Sequence, residues 1–397
     1  MKILVIAHFQ NDGSPTASFV HDQIKQFRKE GNEVLVIVPI AFLKPDFNKN
    51  RVSGIISEIT VDGIRHIFVR YLSLSRYGEG HFNSMAAIAS IKHNVKKIIE
   101  DFSPTIIHAH TIGLDSSIGM WLKSITGCPL IITTHGSDLI IPIREGKASQ
   151  VRKNVIAADA IVCVSTILKK KLKDIGVNTR TVVIFNGFTP ISYLGIRKKR
   201  HSVNQTGSLI KRKKTDVTIK AISLLEKKYP DIRLSIVGEG PERDNLELLC
   251  KELKLQDKVT FKGQLSNIEA QNEMMESQFF VMPSTGEGFG IVYLEAMSAG
   301  CITIGTKGEG IADVIQSGAN GFLVEKDSPQ EVYKVIDWCI DNAAEANLIS
   351  ERGIQTARKY SWESNCESYL GLFRELANRA SSIGEKKIAS PNTEENE

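Results

Sequence analysis

The sequence predicts an α/β protein with two doubly wound parallel sheets, each in its own domain. Short apolar runs rich in β-branched residues alternate with segments of helical spacing along nearly the whole chain. The alternation runs through one series, is interrupted by a basic segment without periodicity, and then starts again. A length of 397 residues also exceeds what one ordinary core holds.

The first series, residues 1–190, opens with the βαβ unit of a parallel sheet. Its strand, turn, helix and second strand are KILVIAHF, QNDGSPTAS, FVHDQIKQFRKEG and VLVIVPI. A strand in GIRHIFVRYL follows, and helices and strands then alternate through AAIASIKHNVKKIIEDF, TIIHAH, GLDSSIGMWLKSITG, PLIITTHGSD, RKNVIAADA, IVCVS, TILKKKLKDIG and TVVIFNG. Ligands of such sheets bind beyond the carboxyl ends of the strands, so the loops there are candidate sites.

The basic segment Phe188–Gln205 is the expected linker, and a second βα series occupies residues 205–360. Its predicted strands are a weak one near SVNQTGSL, then RLSIVGEG, KVTFKG, FFVMP, CITIGT and FLV, and its helices are TDVTIKAISLLEKKY, ERDNLELLCKELKL, NIEAQNEMMESQ, IVYLEAMSA and SPQEVYKVIDWCIDNA. Helices continue from Trp362 to about Ala380, and the polar residues 381–397 are predicted to be disordered. Two strand-end faces joined by a linker would form an interdomain cleft, the usual place for a small-molecule site.

The segment Pro283–Gly300, PSTGEGFGIVYLEAMSAG, combines a strand end, a glycine-rich turn, a helix start and two carboxylates. Glycines in the turn Gly286–Gly290 remove side-chain bulk, and the N–H groups of the helix start at Phe289–Ile291 favour an anion such as a diphosphate. Glu287 precedes the helix and Glu295 lies inside it. A wholly helical spacing would separate them by roughly 12 Å, enough to straddle a diphosphate. The structural alternative is a solvated Glu295 and a Glu287 that only favours the helix dipole.

Three histidines, His108, His110 and His135, fall at strand ends of the first domain, on the edge where such sheets bind ligands. The HxH pair would also suit a metal, but no acidic or cysteine partner stands at ligand spacing beside it. Gly13, in the loop after the first strand, would let the backbone approach a phosphate. No two aspartates stand two positions apart, so the sequence lacks a DxD metal motif, and metal-independent chemistry is expected.

The composition is that of a soluble globular protein. The apolar run in MKILVIAHFQ is too short for a secretory signal, and no run of 18 uncharged apolar residues occurs, so a cytoplasmic protein is expected. Six cysteines are scattered without CxxC spacing, which favours reduced core thiols over disulfides or zinc ligands. They are Cys128, Cys163, Cys250, Cys301, Cys339 and Cys366.

Positive charge is concentrated between Lys169 and Lys214, where thirteen lysines and arginines face a single acid, Asp174. Such a cluster favours anionic lipid head groups, a phosphorylated substrate or nucleic acid, unless it only forms solvated faces. Nucleic acid is disfavoured because aromatic residues do not interleave with the charges. The helix with Lys169–Lys173 is therefore expected to attach to an anionic membrane surface, where a lipid-linked acceptor would lie.

Motifs along the chain resemble those of the retaining glycosyltransferases of family 4. In order they are DGSPTASFVHDQI, IIHAH, ITTHGSD, VIFNG, TGSLIKRK, IVGEGPERDNLE, VTFKGQL, the glutamate pair of Pro283–Gly300 and TKGEGIADVIQSGANGFLV. The resemblance extends to about residue 380 and implies the GT-B fold, with two facing Rossmann-like domains and an interdomain cleft. It also implies that the helix in YSWESNCESYLGLF, residues 361–380, crosses back to the N-terminal domain. Within the family, the opening loop and THGSD are most similar to transferases that build teichuronic acid and other bacterial surface polysaccharides.

The resemblance implies three catalytic residues. Glu287 would bind hydroxyls of the donor sugar near the reacting carbon, and His135 matches the histidine beside that sugar. Lys213 matches the phosphate-binding lysine of the family. It would neutralise charge on the leaving nucleotide diphosphate together with the helix start.

The resemblance also implies a set of donor-binding residues. Glu295 would hold the ribose hydroxyls of the nucleotide, and Gly13 would let its loop close over the phosphates. The diphosphate would bind N–H groups of Phe289, Gly290 and Ile291, and the base would meet the backbone of Lys262–Leu265, which includes Gly263 and Leu265. At Ser208 the family usually has arginine, and loss of a guanidinium should weaken leaving-group stabilisation unless Lys211 or Arg212 substitutes. Asp313, where the family often has glutamate, is a milder change.

The implied reaction moves a sugar from a nucleotide diphosphate sugar, with a UDP-sugar expected, to a hydroxyl of a lipid-linked or saccharide acceptor. Retention of configuration leaves two routes open, a covalent intermediate on Glu287 and same-face attack in which the departing phosphate takes the acceptor proton; the resemblance favours the second. Ser208 motivates a rival hypothesis, a weakly active or inactive sugar-nucleotide-binding partner in a polysaccharide assembly complex. A nicotinamide-dependent enzyme is disfavoured because FQNDGSP lacks GxGxxG.

Overall fold

The structure, a computed structural model, describes residues 1–8, 16–42, 54–73, 81–191 and 198–388. The chain divides into two compact units. The first consists of Met1–Val164, Leu168–Ile184 and the segment from Trp362 onward, and the second of Ser165–Ile167 and Phe185–Ser361. Each unit is built around one sheet of mostly parallel strands with helices between them in sequence.

In the first unit the described strands form one sheet with the order β3-β4-β2-β1-β5-β6-β7-β8, parallel except for β3. The strands are β1 Lys2–Ile6, β2 Glu33–Ala41, β3 Ile56–Val61, β4 Ile64–Tyr71, β5 Ile106–Ala109, β6 Leu130–Thr134, β7 Ala160–Cys163 and β8 Thr181–Val183. The helices are α1 Ser18–Lys29, α2 His81–Asn94, α3 Lys96–Phe102, α4 Leu114–Thr126, α5 Ser137–Arg144, α6 Ala148–Val155 and α7 Thr166–Asp174. The central strands β1, β2, β5 and β6 are almost wholly buried, which is why they read as continuous apolar runs.

Three elements of this unit differ from the sequence prediction. β3 was not predicted, because an antiparallel edge strand such as ISEITV mixes exposed polar residues with apolar ones. The single helix expected over AAIASIKHNVKKIIEDF is interrupted at Val95, which has φ −123° and ψ −8°. α5 was also missed, because its sequence carries Pro142, a residue that disfavours helix interiors.

In the second unit the described strands form a parallel sheet with the order β11-β10-β9-β12-β13-β14. The strands are β9 Lys199–Thr206, β10 Arg233–Val237, β11 Val259–Gly263, β12 Ser277–Val281, β13 Ile302–Thr306 and β14 Phe322–Val324. The helices are α8 Thr215–Leu225, α9 Arg243–Glu252, α10 Asn267–Glu276, α11 Ile291–Ser298, α12 Pro329–Asp341 and α13 Ala343–Ala357, with short 3₁₀ turns at Lys211–Lys213 and Gly310–Asp313. α13 was not predicted.

The predicted linker Phe188–Gln205 is too long at its carboxyl end. β9 begins at Lys199 and lies between β10 and β12 in the sheet. Residues 201–205 of this strand are buried, although four basic residues precede them in the sequence. The basic residues were therefore assigned to the linker, although the last two of them begin a central strand of the sheet.

The last helix, α14 Trp362–Ile388, belongs to the first unit. It adds Tyr369, Phe373 and other apolar residues to that unit's core. The Tyr369 hydroxyl lies 2.9 Å from Oγ1 of Thr133 at the end of β6. The helix continues to Ile388 rather than ending near Ala380, and the rest of the predicted disordered tail, residues 389–397, lies outside the described residues.

Two further sequence predictions concern thiols and membrane spans. All six cysteines are free thiols, and five of them are buried, as predicted. Burial raises the pKa of Cys163 and Cys339 to about 12, which keeps these thiols protonated. Over the described ranges, the structure contains no helix with both the length and the apolar character needed to cross a membrane.

Candidate functional site

The second unit has a switch point at β9, because β10 and β12 lie on opposite sides of it. The loops that leave the carboxyl ends of β9 and β12 diverge there, and doubly wound sheets bind ligands in such a crevice. The β9 loop carries Lys211–Lys213, and the β12 loop carries Gly286–Gly290. The two segments that the sequence singled out in this half are thus brought to one edge of the sheet.

The β12 loop leads into α11, which begins at Ile291 as predicted. Gly290 has φ +86°, and a Cβ at this position would lie 2.6 Å from the Tyr293 ring, so glycine is required on both counts. The ring cannot move aside easily, because the Tyr293 hydroxyl donates a hydrogen bond to Met282 O at 2.6 Å. The start of α11 therefore has a fixed backbone, and its first N–H groups, at Phe289–Ile291, are suited to an anion.

The two glutamates flank this helix start. Glu287 lies in the loop, and the half-buried Glu295 lies in the second turn of α11. Helical geometry holds only from Ile291 onward, so the separation of roughly 12 Å, which assumed a continuous helical rise, does not apply to this pair.

Glu287 is bound by two cations through a single oxygen. Lys213 Nζ lies 2.6 Å and Arg212 Nη1 3.2 Å from Glu287 Oε2, and the Lys213 and Glu287 side chains are each only 12% exposed. Burial raises the pKa of Glu287, but the charges of Lys213 and Arg212 outweigh it and hold that pKa below its usual value. The site therefore keeps an ionised carboxylate between two cations at neutral pH.

The β9 loop holds these two cations through backbone contacts on both sides. A Cβ at Gly207 would lie 3.7 Å from Lys213 Cε, so the lysine stem packs against Gly207. Arg212 O accepts the N–H of Thr285 at 2.7 Å, which ties the β9 loop to the β12 loop. Ser208 is exposed, and Arg212 supplies the guanidinium near Glu287.

The predicted base-binding segment lies further along the same sheet edge. Gly263 ends β11, which is separated from β9 by β10, and its carbonyl accepts the N–H of Gly238 at 2.8 Å. Leu265, two residues on, is half-buried. Gly263 is the last residue of β11 and Leu265 lies just beyond it, and this carboxyl edge is where such sheets bind ligands.

Glu309, which sequence reasoning did not assign, is part of the same site. It follows β13 and is 6% exposed. Its Oε2 accepts the N–H groups of Gly286 at 2.9 Å and of Glu287 at 3.0 Å. The available signal was an acidic residue between two glycines, Gly308 and Gly310, just beyond a strand at the ligand-binding edge.

The three predicted histidines lie together at the ends of β5 and β6, where His108 and His110 are buried and His135 is half-buried. His110 Nδ1 and His135 Nε2 share a hydrogen bond of 3.3 Å, and the two rings are stacked. Burial, with a smaller effect of His8, lowers the pKa of His135 to about 3, and burial also lowers the pKa of His110. His135 is therefore neutral at physiological pH and can act as a hydrogen-bonding group but not as a cation.

A fourth histidine in this region was not predicted. His8, just beyond β1, places Nδ1 3.1 Å from Oδ2 of Asp115, a carboxylate with no exposed surface. Thr111 donates a hydrogen bond to the same oxygen at 2.7 Å. No sequence pattern indicates this pair, because 107 positions separate the two partners.

Two further sequence predictions concern the first unit. Gly13 lies outside the described residues, so its predicted role stays a prediction. In the part of the chain that the structure describes, no group of three or more His, Cys, Asp and Glu side chains could hold a metal ion. The HxH pair is thus not part of such a group, and His110 instead bonds His135.

Two family models match the chain in succession. The model described as "Glycosyltransferase Family 4" matches residues 16–190, and the model described as "Glycosyl transferases group 1" matches residues 192–356. The second match contains Lys213, Glu287, Glu295 and Glu309. The two matches divide the chain close to the boundary between its two units.

Individual proteins agree with the family models. An uncharacterized glycosyltransferase of Methanocaldococcus jannaschii is 29% identical over 71% of this chain and 78% of its own length. A lipopolysaccharide core biosynthesis glycosyltransferase of Rhizobium meliloti is 30% identical over 54% of this chain and 63% of its own length. The crystal structure of an Anabaena protein in complex with UDP has a TM-score of 0.72 at 20% identity, covering 94% of this chain and all of that one. The predicted fold class, two Rossmann-like α/β domains as in GT-B proteins, is confirmed.

Proposed function

The chain belongs to the group 1 glycosyltransferases, and on that premise we propose that it transfers a sugar from a nucleoside diphosphate sugar to an acceptor hydroxyl with retention of configuration. The observation that carries this proposal is the pair of cations, Lys213 and Arg212, held at Glu287 beside the start of α11. Cations and a helix start together suit a diphosphate, and an adjacent carboxylate suits sugar hydroxyls. UDP is the first candidate nucleotide, because the Anabaena protein of the same fold was crystallised with UDP.

In this proposal the leaving diphosphate is stabilised by protein charge rather than by a metal ion. Lys213 and the first N–H groups of α11 neutralise the charge that develops on the phosphates. Arg212 supplies the guanidinium that Ser208 does not, since its Nη1 already lies 3.2 Å from Glu287 Oε2. Glu295 holds the ribose, and the backbone around Gly263 and Leu265 meets the base.

The proposed route to retention is same-face attack, in which the departing phosphate takes the proton of the acceptor hydroxyl. Lys213 and Arg212 both bond Oε2 of Glu287, and a carboxylate whose charge is neutralised by two cations is a weaker nucleophile. Glu287 therefore orients the sugar hydroxyls, and the role of His135 beside the sugar stays a prediction.

The proposed acceptor is a lipid-linked or saccharide precursor of a cell-surface polysaccharide or glycolipid, of the teichuronic acid type in the narrowest form. This class is supported by the Rhizobium relative, which is named as a glycosyltransferase of lipopolysaccharide core biosynthesis. Peripheral attachment to an anionic membrane through α7 would bring the protein to such an acceptor.

A second candidate function is a weakly active sugar-nucleotide-binding partner in a polysaccharide assembly complex. Ser208 in place of arginine favours it, because a missing guanidinium weakens leaving-group stabilisation. Both candidates bind the nucleotide, and only the transferase turns the donor over.

The test is a panel of sugar nucleotides measured by thermal shift and then by turnover with an acceptor extract. One nucleotide at a hundred times its Kd should stabilise the protein by about 2.7 kcal/mol. Turnover should be abolished in Glu287→Ala and retained in Glu276→Ala, a surface glutamate paired with Lys199 at the opposite end of β9. Stabilisation without turnover would favour the binding partner, and no stabilisation by any nucleotide would refute both.

A further inference from the structure

Glu309 binds the loop that carries Glu287 through one carboxylate oxygen and pairs with a lysine through the other. Oε2 accepts the N–H groups of Gly286 and Glu287 at 2.9 and 3.0 Å. Oε1 lies 2.7 Å from Nζ of Lys326, which is 51% exposed. A buried protein carboxylate thus occupies two N–H groups of the loop, and a lysine at the surface balances its charge.

The neighbouring backbone makes the same connection. Gly310 N donates to Glu287 O at 3.3 Å. A Cβ at Gly310 would lie 2.1 Å from Gly288 O, so the two backbones are in direct contact. The N–H of Glu287 therefore bonds the side chain of Glu309, and its C=O bonds the N–H of Gly310. Its side chain bonds Lys213 and Arg212.

This arrangement fixes Glu287 from two sides. The cations restrain the carboxylate, and the turn after β13 restrains the backbone. Without the Glu309 carboxylate, two loop N–H groups would lose their partner, and the loop would be free to rearrange. A displacement of about 1 Å at a group that orients a substrate can reduce the rate on the order of 100-fold.

We propose that Glu309 is a positioning residue that sets the place of the Glu287 carboxylate in the transfer reaction, with Lys326 as its counter-ion. The inference rests on the proposed function, because it assigns Glu309 to the reaction that Glu287 serves. In this role Glu309 acts through Glu287 and not on the donor itself. Since it occupies the N–H groups of Gly286 and Glu287, the N–H groups from Phe289 to Ile291 are left for the diphosphate.

The kinetic test compares Glu309→Ala, Glu309→Gln and Glu309→Asp with the wild type. Glu309→Ala should lower kcat on the order of 100-fold, with the donor KM and the Kd for UDP within about twofold of wild type. Glutamine keeps the reach of the side chain and an oxygen that can accept both N–H groups, so it should recover most of kcat. Aspartate keeps the charge but is one methylene shorter, so it should recover less than glutamine.

The matched control is Glu325→Ala. Glu325 is 59% exposed, and it pairs with Lys307 in a neighbouring segment of the same unit. Its loss should leave kcat unchanged. Amide hydrogen exchange supplies a readout independent of activity, because exchange at Gly286 and Glu287 should accelerate in Glu309→Ala and stay near wild type in Glu309→Gln and Glu325→Ala.

Several results would overturn the role of Glu309. They are an undiminished kcat in Glu309→Ala, better recovery by aspartate than by glutamine, a parallel loss of UDP affinity, or unchanged amide exchange in the loop. If the alanine variant does not fold, the order of glutamine and aspartate decides. A wild type that turns over no donor would instead refute the proposed function, so the two failures are distinguishable.

Discussion

At the scale of single residues, the site depends on which partner holds the Glu287 carboxylate. In the structure Lys213 and Arg212 both form ion pairs with Oε2 of Glu287. A diphosphate that binds these cations must compete with that carboxylate, because both are anions beside the same two charges. Under the proposed function, Glu287 would therefore oppose nucleotide binding while it orients the sugar hydroxyls.

The variant Glu287→Gln separates these two effects. We expect turnover to fall on the order of 100-fold or more, because the amide orients sugar hydroxyls less strongly than the carboxylate. The Kd for UDP should stay the same or decrease, since the charge that competes for Lys213 and Arg212 is gone. Calorimetric titration with UDP and steady-state kinetics measure the two quantities.

The pH dependence of stability provides the control for Glu287→Gln. The pKa of Glu287 is lowered in the folded protein, so its ion pairs add stability above the ordinary glutamate pKa, and that contribution is lost as the pH falls through the lowered pKa. The gap in unfolding free energy between wild type and Glu287→Gln should shrink in acid. A weaker Kd for UDP together with a gap that is constant with pH would contradict this account of the ion pairs.

The residues could be predicted from the sequence in part. The sequence motifs that follow strand ends contain Lys213, Glu287 and the helix start at Ile291, and the structure places these residues at one switch point of the sheet. Arg212 was foreseen only as a substitute for an arginine at Ser208. The position of Glu309 between two glycines beyond a strand was a signal, but its contact with the β12 loop could not be foreseen. The same holds for the His8–Asp115 pair, because both contacts depend on which loops the sheet order brings together.

At the scale of elements, the loops at the sheet edge are shaped by close backbone contacts. The turn after β13 touches the β12 loop where Gly310 faces Gly288. Side chains there would separate the two loops, so glycine at Gly310 is a packing requirement rather than a matter of backbone conformation. Sequence patterns indicate such a glycine but do not show which loop it contacts.

The substitution Gly310→Ala tests this contact. An added Cβ would lie 2.1 Å from Gly288 O and 2.8 Å from Phe289 Cα, so backbone must move. We expect a loss of stability of about 1–3 kcal/mol and a higher donor KM, because the helix start that we propose binds the diphosphate is displaced. Denaturant unfolding and donor kinetics measure both.

Gly371→Ala is the matched control for the glycine test. Gly371 lies in α14, where nothing falls within 4 Å of an added Cβ. Alanine favours a helix interior over glycine, so this variant should gain about 0.5–1 kcal/mol. Equal stability changes in the two variants would show that the close contact at Gly310 is not maintained in solution.

At the scale of the whole molecule, the sequence predicted two parallel sheets because buried parallel strands leave continuous apolar runs. The prediction from sequence missed elements that are short, that are largely exposed, or whose first residues are charged. The edge strand β3, the helix α13 and the start of β9 at Lys199 belong to these classes. The assignment of α14 to the first unit came from the resemblance, because periodicity alone does not show which sheet a terminal helix covers.

The surface charge of the molecule supports the proposed membrane attachment. On α7, Leu168 and Leu172 are buried, while Lys169, Lys170 and Lys173 are exposed. The α6 helix lies nearby, since Arg152 Nη1 donates to Ile175 O at 3.0 Å. At the end of α6, Ile156 is 76% exposed. An apolar side chain among basic ones is the combination that an anionic lipid surface favours.

Replacing the four lysines of α7, Lys169, Lys170, Lys171 and Lys173, by glutamine should weaken binding to vesicles that contain anionic lipid. Each lysine near such a surface contributes about 1 kcal/mol, so the loss should exceed roughly 10-fold even if only two of the four contact the surface, and it should diminish at high salt. Sedimentation with anionic and with neutral vesicles measures it. The control removes the same charge from exposed lysines of the second unit, Lys227, Lys251, Lys334 and Lys359. Equal losses in the two variants would indicate a response to net charge alone, and unchanged binding in the α7 variant would refute attachment through this helix.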